Sequence, residues 1–151
     1  MQQATYRPNV AAIIRRADGK IFLGERADVP GSWQFPQGGV KHFETAEEAL
    51  AREILEETSL QPNQYYVVEK RQPYRYVFTN GRTKEGFHGQ EQTYFLVDLA
   101  EADPLVQLVL DPREFRNGRW IYPSEFQLNW VPEFKRAVYR EIFRDFFGVA
   151  L

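Results

Sequence analysis

Between Gly38 and Leu60 the chain reads GGVKHFETAEEALAREILEETSL. At about 100° per residue on a helical wheel, Glu53, Glu56 and Glu57 fall within an arc of about 100°. Glu53 lies between the other two, at spacings of three and four. Ala46, Ala49 and Leu50 share much of that arc, so the carboxylates border a small-residue contact face rather than lie opposite it. Clustered like charges on one helix face cost a few tenths of a kcal/mol per pair. A hard divalent cation relieves that repulsion, because carboxylate oxygens are the ligands magnesium takes. The competing reading is a solvated acidic face, in which Arg52, four residues from both Glu48 and Glu56, makes ordinary ion pairs.

The rest of the composition narrows the chemistry. There is no Cys among the 151 residues and there are two His. A disulfide framework, a thiolate metal site and a thiol nucleophile are therefore excluded, and a metal site must be built mainly from oxygen. That favours Mg²⁺, Mn²⁺ or Ca²⁺ over zinc. Net charge is −2, from 19 basic and 21 acidic side chains. A non-specific nucleic-acid binder would be strongly basic, so double-stranded DNA is not an expected partner. The early apolar run covers only Val10 to Ile14, too short for the core of a signal peptide, and nothing approaches the length of a membrane span. A cytoplasmic protein without membrane contact is the expectation. Length and the lack of linkers suggest a single domain over 1–151.

Several elements must position the acidic helix. Val10–Arg15, the Asp18-Gly19 turn and Ile21–Glu25 read as a hairpin. The carboxylate helix starts at Thr45, which forms a capping box with Glu48, and runs to about Thr58. Tyr65–Arg71 and Tyr74–Phe78 read as strands on either side of Pro73, Gln92–Leu99 as another, and Arg119–Tyr122 as a short one. Thr79–Gly89 is a polar loop. A last helix starts near Pro132 and stops at Gly148, with Phe134, Val138, Tyr139, Ile142, Phe143, Phe146 and Phe147 on one face. Strands interrupted by two helices suggest a mixed sheet covered on both sides.

Gly38, Glu44, Arg52, Glu53, Ile54, Glu56 and Glu57 occupy the positions of G-x5-E-x7-R-E-U-x-E-E-x-G-U, closed by Leu60. This pattern resembles the Nudix box, the signature of the Nudix hydrolases, over residues 38–60. Ser59 departs from it, standing where the family has the Gly that allows a left-handed helix stop. Serine in that conformation costs about 1 kcal/mol. The resemblance implies an α/β/α sandwich with a central mixed sheet and a loop–helix–loop catalytic motif. It also implies hydrolysis of a nucleoside diphosphate linked to another group, with two or more Mg²⁺ ions (Mn²⁺ is an alternative). In that picture Glu53, Glu56 and Glu57 bind metal together with the Gly38 carbonyl, while Arg52 and Glu44 orient helix and loop.

Further segments resemble one branch, the bacterial RNA pyrophosphohydrolases and the related dinucleoside polyphosphate hydrolases. They are Tyr6–Val10, Ser32–Gly39, Gly89–Phe95 and Phe134–Tyr139. No basic tail of the kind often found in the bacterial RNA enzymes follows the last helix. By this resemblance Glu114 is an added catalytic carboxylate, either a metal ligand or the base on the attacking water. Arg7 and Arg26 are phosphate contacts, and Tyr76 and Phe134 sandwich a base beside Lys135. Without the family, Glu114 would read as an ordinary loop residue, Phe134 as core and Tyr76 as sheet packing. Trp33 is expected to pack beneath its loop, and His42 and His88 receive no role. The implied substrate is 5′-triphosphorylated RNA, converted to the 5′-monophosphate. One alternative is asymmetric cleavage of diadenosine tetra- or pentaphosphate. Another is a non-catalytic nucleotide- or RNA-binding module, against which the complete carboxylate set argues.

Overall fold

Residues Asn9 to Ile14 are buried without a break, so the strand that carries them needs cover on both faces. The computed structural model describes residues 5–100 and 108–151 and supplies that cover. In chain order the elements are β1 (Tyr6–Arg15), β2 (Ile21–Arg26), β3 (Trp33–Gln34), β4 (Gln37–Gly39), α1 (Ala46–Thr58), β5 (Tyr65–Val77), β6 (Gly89–Leu99), β7 (Phe115–Ile121) and α2 (Glu133–Phe147). β1 runs parallel to β6, from Tyr6 opposite Gly89 to Arg15 opposite Asp98. The remaining pairings are antiparallel: β5 with β6, β4 with β1, and β2 with β1, β3 and β7.

Alternation along β1 divides the core in two. Val10, Ala12 and Ile14 pack with Ala49, Leu50 and Ile54 of α1, and with Phe95 and Phe115. Ala11 and Ile13 face Phe35, Tyr94 and the α2 residues Val138, Tyr139, Ile142 and Phe143. Phe35 and Tyr139 stack with centroids 5.7 Å apart, and Phe126 lies 4.6 Å from Phe143. The expected mixed sheet with a helix on each side is therefore present.

Two local expectations need correcting. The Asp18-Gly19 turn forms, but β1 and β2 pair only at Arg15 and Ile21. They then part, because β4 and β6 take the two edges of β1 while β3 and β7 take those of β2. Pro73 does not separate two strands. β5 is continuous and absorbs it at a register shift between Arg71 and Tyr74, which an edge strand tolerates because an unpaired position needs no N–H. Helix α2 starts where expected, with Pro132 at its N-cap position and Glu133 its first residue.

Helix α1 forms as expected. Thr45 Oγ1 accepts from the Glu48 N–H at 3.1 Å, and Glu48 Oε1 accepts from the Thr45 N–H at 3.1 Å. The helix ends at Ser59, which adopts the left-handed conformation at φ 66° despite its side chain. Trp33 is buried against Trp130 with the Arg119 guanidinium 3.7 Å from its ring centroid, a packing role. No helix among the described residues is long and apolar enough to cross a membrane.

Ile54 is fully buried and Leu55 is 41% exposed. Ile54→Ala should cost about 2–5 kcal/mol, and Leu55→Ala about 0.5 kcal/mol or less. Urea unfolding of the two variants checks the facing of α1.

Candidate active site

Arg52 organises the entry to α1. Its Nε and Nη2 donate to Glu44 Oε2 and Oε1 at 2.7 and 2.9 Å, a two-pronged pair. Nη2 also donates to the Gly39 carbonyl at 2.9 Å, and Nη1 donates to Glu53 Oε1 at 2.7 Å. Glu44 Oε1 accepts the Lys41 N–H as well, at 2.9 Å. Arg52 first, then that backbone N–H, hold the Glu44 carboxyl down at about 2. The loop 39–44 is thus clamped to the helix through one planar cation, whose fork geometry a lysine lacks. Simple ion pairing with Glu48 is not seen, because Glu48 is used in the cap.

The three box carboxylates differ sharply in environment. Glu57 is 2% exposed, and neither of its carboxylate oxygens has a hydrogen-bond partner. Burial first, then the neighbouring Glu53 carboxylate, and further the Glu114 carboxylate raise its pKa far above the carboxylate range. Glu53 is raised by burial, against the hydrogen bond from Arg52. It lies so close to β4 that a Cβ at Gly38 would occupy the space of its carboxylate, which is a local reason for Gly38. The Glu56 side chain is 54% exposed and leans toward Arg52, with Nη1 to Oε2 at 3.4 Å. Among the described residues no three acidic or imidazole side chains converge as a finished metal site. A buried carboxylate without a partner still fits a divalent cation, since such a charge is otherwise very costly.

Glu114 comes from the turn before β7. The Asp111 N–H donates to the Glu57 carbonyl at 3.1 Å, the Glu114 N–H to the Asp111 carbonyl at 3.0 Å, and the Ala27 N–H to the Glu114 carbonyl at 2.9 Å. Glu114 and Gly38 border a cavity of about 580 Å³, which Arg7, Arg26, Tyr76, Phe134 and Lys135 also line. The residues expected to hold a substrate are therefore gathered in one place, next to the carboxylate helix.

Their arrangement departs from a ready sandwich. The Tyr76 and Phe134 rings are in contact, with centroids 5.7 Å apart and planes at 52°. A base would stack on one of them or part them. Arg7 pairs with Glu85 at 3.1 Å, and Arg26 makes a two-pronged pair with Asp28 at 3.0 and 2.8 Å. Lys135 is 6% exposed, and its ammonium sits 5.5 Å from the Tyr76 centroid and 5.8 Å from that of Phe134.

Sequence reasoning missed the amides. Gln92 Nε2 donates to Asn9 Oδ1 at 2.9 Å and to Gln37 Oε1 at 2.7 Å. Gln34 and Gln90, both on the cavity wall, keep buried Oε1 atoms without partners. The signal was there in β6: Gln90 and Gln92 hold positions whose alternation with Tyr94 and Leu96 demands apolar residues. Arg82, Lys84 and Arg113, also on the wall, carried no periodic signal.

The NUDIX domain family model matches residues 5–146. The chain is 39% identical to an RNA pyrophosphohydrolase of Helicobacter pylori (strain G27), over 97% of this chain and 96% of that one. Among solved structures it resembles the E. coli dihydroneopterin triphosphate pyrophosphohydrolase, with TM-score 0.73, 20% identity and coverage of 94% and 97%. It also resembles a C. elegans Ap4A hydrolase binary complex, with TM-score 0.66, 18% identity and coverage of 95% and 99%. At those identities the two structures speak for the fold.

Burial first, then Arg26 and Lys84, lower the Lys135 ammonium to about 8. Its unfolded value is about 10.4, so the native state binds fewer protons between the two. Stability then rises with pH across that window, and below it the whole cost is present. The size is on the order of 3 kcal/mol. Lys135→Met should raise the urea midpoint at pH 7 and lose that advantage as pH climbs toward about 10.4. Equal midpoints at pH 7 would show that the ammonium carries no burial cost.

Proposed function

Because this chain belongs to the Nudix family, we propose that it is a pyrophosphohydrolase of 5′-triphosphorylated RNA, releasing pyrophosphate or successive phosphates and leaving a 5′-monophosphate. The observation that carries the reading is a cavity lined by arginines, a buried lysine and two aromatic rings that also borders Glu114 and Gly38, the glycine against which the Glu53 carboxylate packs. The full-length similarity to the H. pylori RNA pyrophosphohydrolase supports it.

Glu53, Glu56, Glu57 and Glu114, with the Gly38 carbonyl, would hold divalent cations, which would neutralise phosphate oxygens and acidify an attacking water. Magnesium is the first choice, manganese the second, in two or more ions. Glu114 either joins that ligand set or takes the proton of the water. Arg52 and Glu44 keep Glu53 and the Gly38-Gly39 strand in register. Arg7 and Arg26 exchange their carboxylate partners for phosphate oxygens, a match for the guanidinium fork. Tyr76 and Phe134 offer faces for the first base, and Lys135 offers a donor to its edge. Such a site handles a polyanion although the whole chain is acidic.

A second reading uses the same site. Diadenosine tetra- or pentaphosphate also presents a 5′-linked polyphosphate attached to a base, and asymmetric cleavage needs no other group. The non-catalytic module is disfavoured because every box carboxylate is present. In one Mg²⁺ buffer, kcat/KM should be higher on triphosphorylated RNA oligomers than on diadenosine tetraphosphate. A dinucleotide rate equal or higher would replace the first reading with the second.

Glu53→Gln tests the metal assignment. It should lower kcat/KM at least ~100-fold. Without metal the variant should be as stable as wild type or more so, by about 0.5 kcal/mol, because a like-charge neighbour is gone. Added Mg²⁺ should raise the Tm of wild type more than that of the variant. Near-normal turnover by the folded variant would remove Glu53 from the ligand set.

A further inference from the structure

We propose that Ser59 is a positioning residue that sets Glu114 beside the carboxylates of α1, by fastening segment 108–114 to the end of the helix. The proposal rests on the reading of Glu114 as part of the catalytic machinery. Ser59 occupies the box position at which a glycine would meet the left-handed conformation without strain. Among the described residues it is one of two non-glycine residues with positive φ, the other being Glu85.

The strain is accompanied by a specific contact. Ser59 Oγ donates to the Val109 carbonyl at 2.8 Å, and the Val109 N–H donates to the Thr58 carbonyl at 3.1 Å. Both polar groups of one residue are therefore held by consecutive residues of the helix end. Two residues on, the Asp111 N–H reaches the Glu57 carbonyl at 3.1 Å, and the Asp111 carbonyl receives the N–H groups of Glu114 and Phe115 at 3.0 and 2.9 Å. The ladder runs from Ser59 to Glu114 through Val109 and Asp111. Leu108 and Leu110 pack on the α1 side of the core, while Val109 between them is 66% exposed and is held through its backbone. Glycine at 59 would remove the first rung and leave the helix stop intact.

The test uses Ser59→Gly and Ser59→Ala in the full chain, with triphosphorylated RNA and Mg²⁺. Both lose the hydroxyl, but only alanine keeps the backbone strain. Expected are a Tm unchanged or higher for Ser59→Gly and lower for Ser59→Ala. Both variants should show a kcat reduced about fivefold, the weight of one hydrogen bond, with KM unchanged. In a Glu114→Gln background, Ser59→Gly should cause no further loss. If Ser59 only completes the helix, kcat follows Tm and Ser59→Gly is at least as active as wild type; that outcome overturns the proposal and leaves the proposed function standing. An undiminished loss from Ser59→Gly in the Glu114→Gln background also overturns it. Full activity of Glu114→Gln alone removes the premise, and the proposal with it.

Discussion

The guanidinium of Arg52 is the joint on which the site depends. It lies between the Glu44 carboxylate, the Gly39 carbonyl and the Glu53 carboxylate, so one rigid plane joins the loop, the strand and the helix. A planar cation with divergent donors can satisfy three acceptors at once. The arrangement keeps Glu53 pressed against Gly38, where a side chain on the glycine would displace it. Part of Glu53's charge is thereby compensated before any metal arrives. Glu57 receives no such help: its carboxylate oxygens are buried without partners, and burial favours the neutral form.

The fold around this joint distributes work between two faces of one sheet. The face toward α1 is apolar up to the carboxylates and supports them with Ile54, Phe95 and Phe115. The face toward α2 begins as an aromatic core around Phe35, Tyr139 and Phe143 and becomes polar toward the first residues of β1 and β6, where Asn9 meets Gln92. The cavity opens where that polar stretch faces the start of α2. In the proposed function, chemistry and recognition would thus come from opposite faces of the sheet and meet near Gly38.

Local signals were legible in the sequence and long-range ones were not. The capping box at Thr45 and the stop after Thr58 depend on residues within one turn, and the structure has both. The spacing of Glu53, Glu56 and Glu57 placed them on one side of α1, but not their states. Glu56 turns outward and Glu57 lies under a segment about 50 residues later in the chain. The hairpin reading held only at its turn end, because along the rest of β1 the partners are β6 and β4, whose contributions no local pattern reveals. Lys135 was legible as a neighbour of Phe134 and illegible as a buried ammonium, because its cover comes from Tyr76 on another element. Ser59 read as a departure from the family pattern; its bond to Val109 required the fold.

The pairing of Arg7 with Glu85 and of Arg26 with Asp28 changes how the cavity meets a polyphosphate. A cation neutralised by mobile salt releases that ion into solution when phosphate replaces it, and the gain falls as salt rises. In the proposed role of Arg7 and Arg26 the ions displaced would be carboxylates tethered to the chain. They would gain no translational freedom, so these two arginines would add less to the ionic-strength dependence of binding than their number implies. The protein acts as its own counterion reservoir.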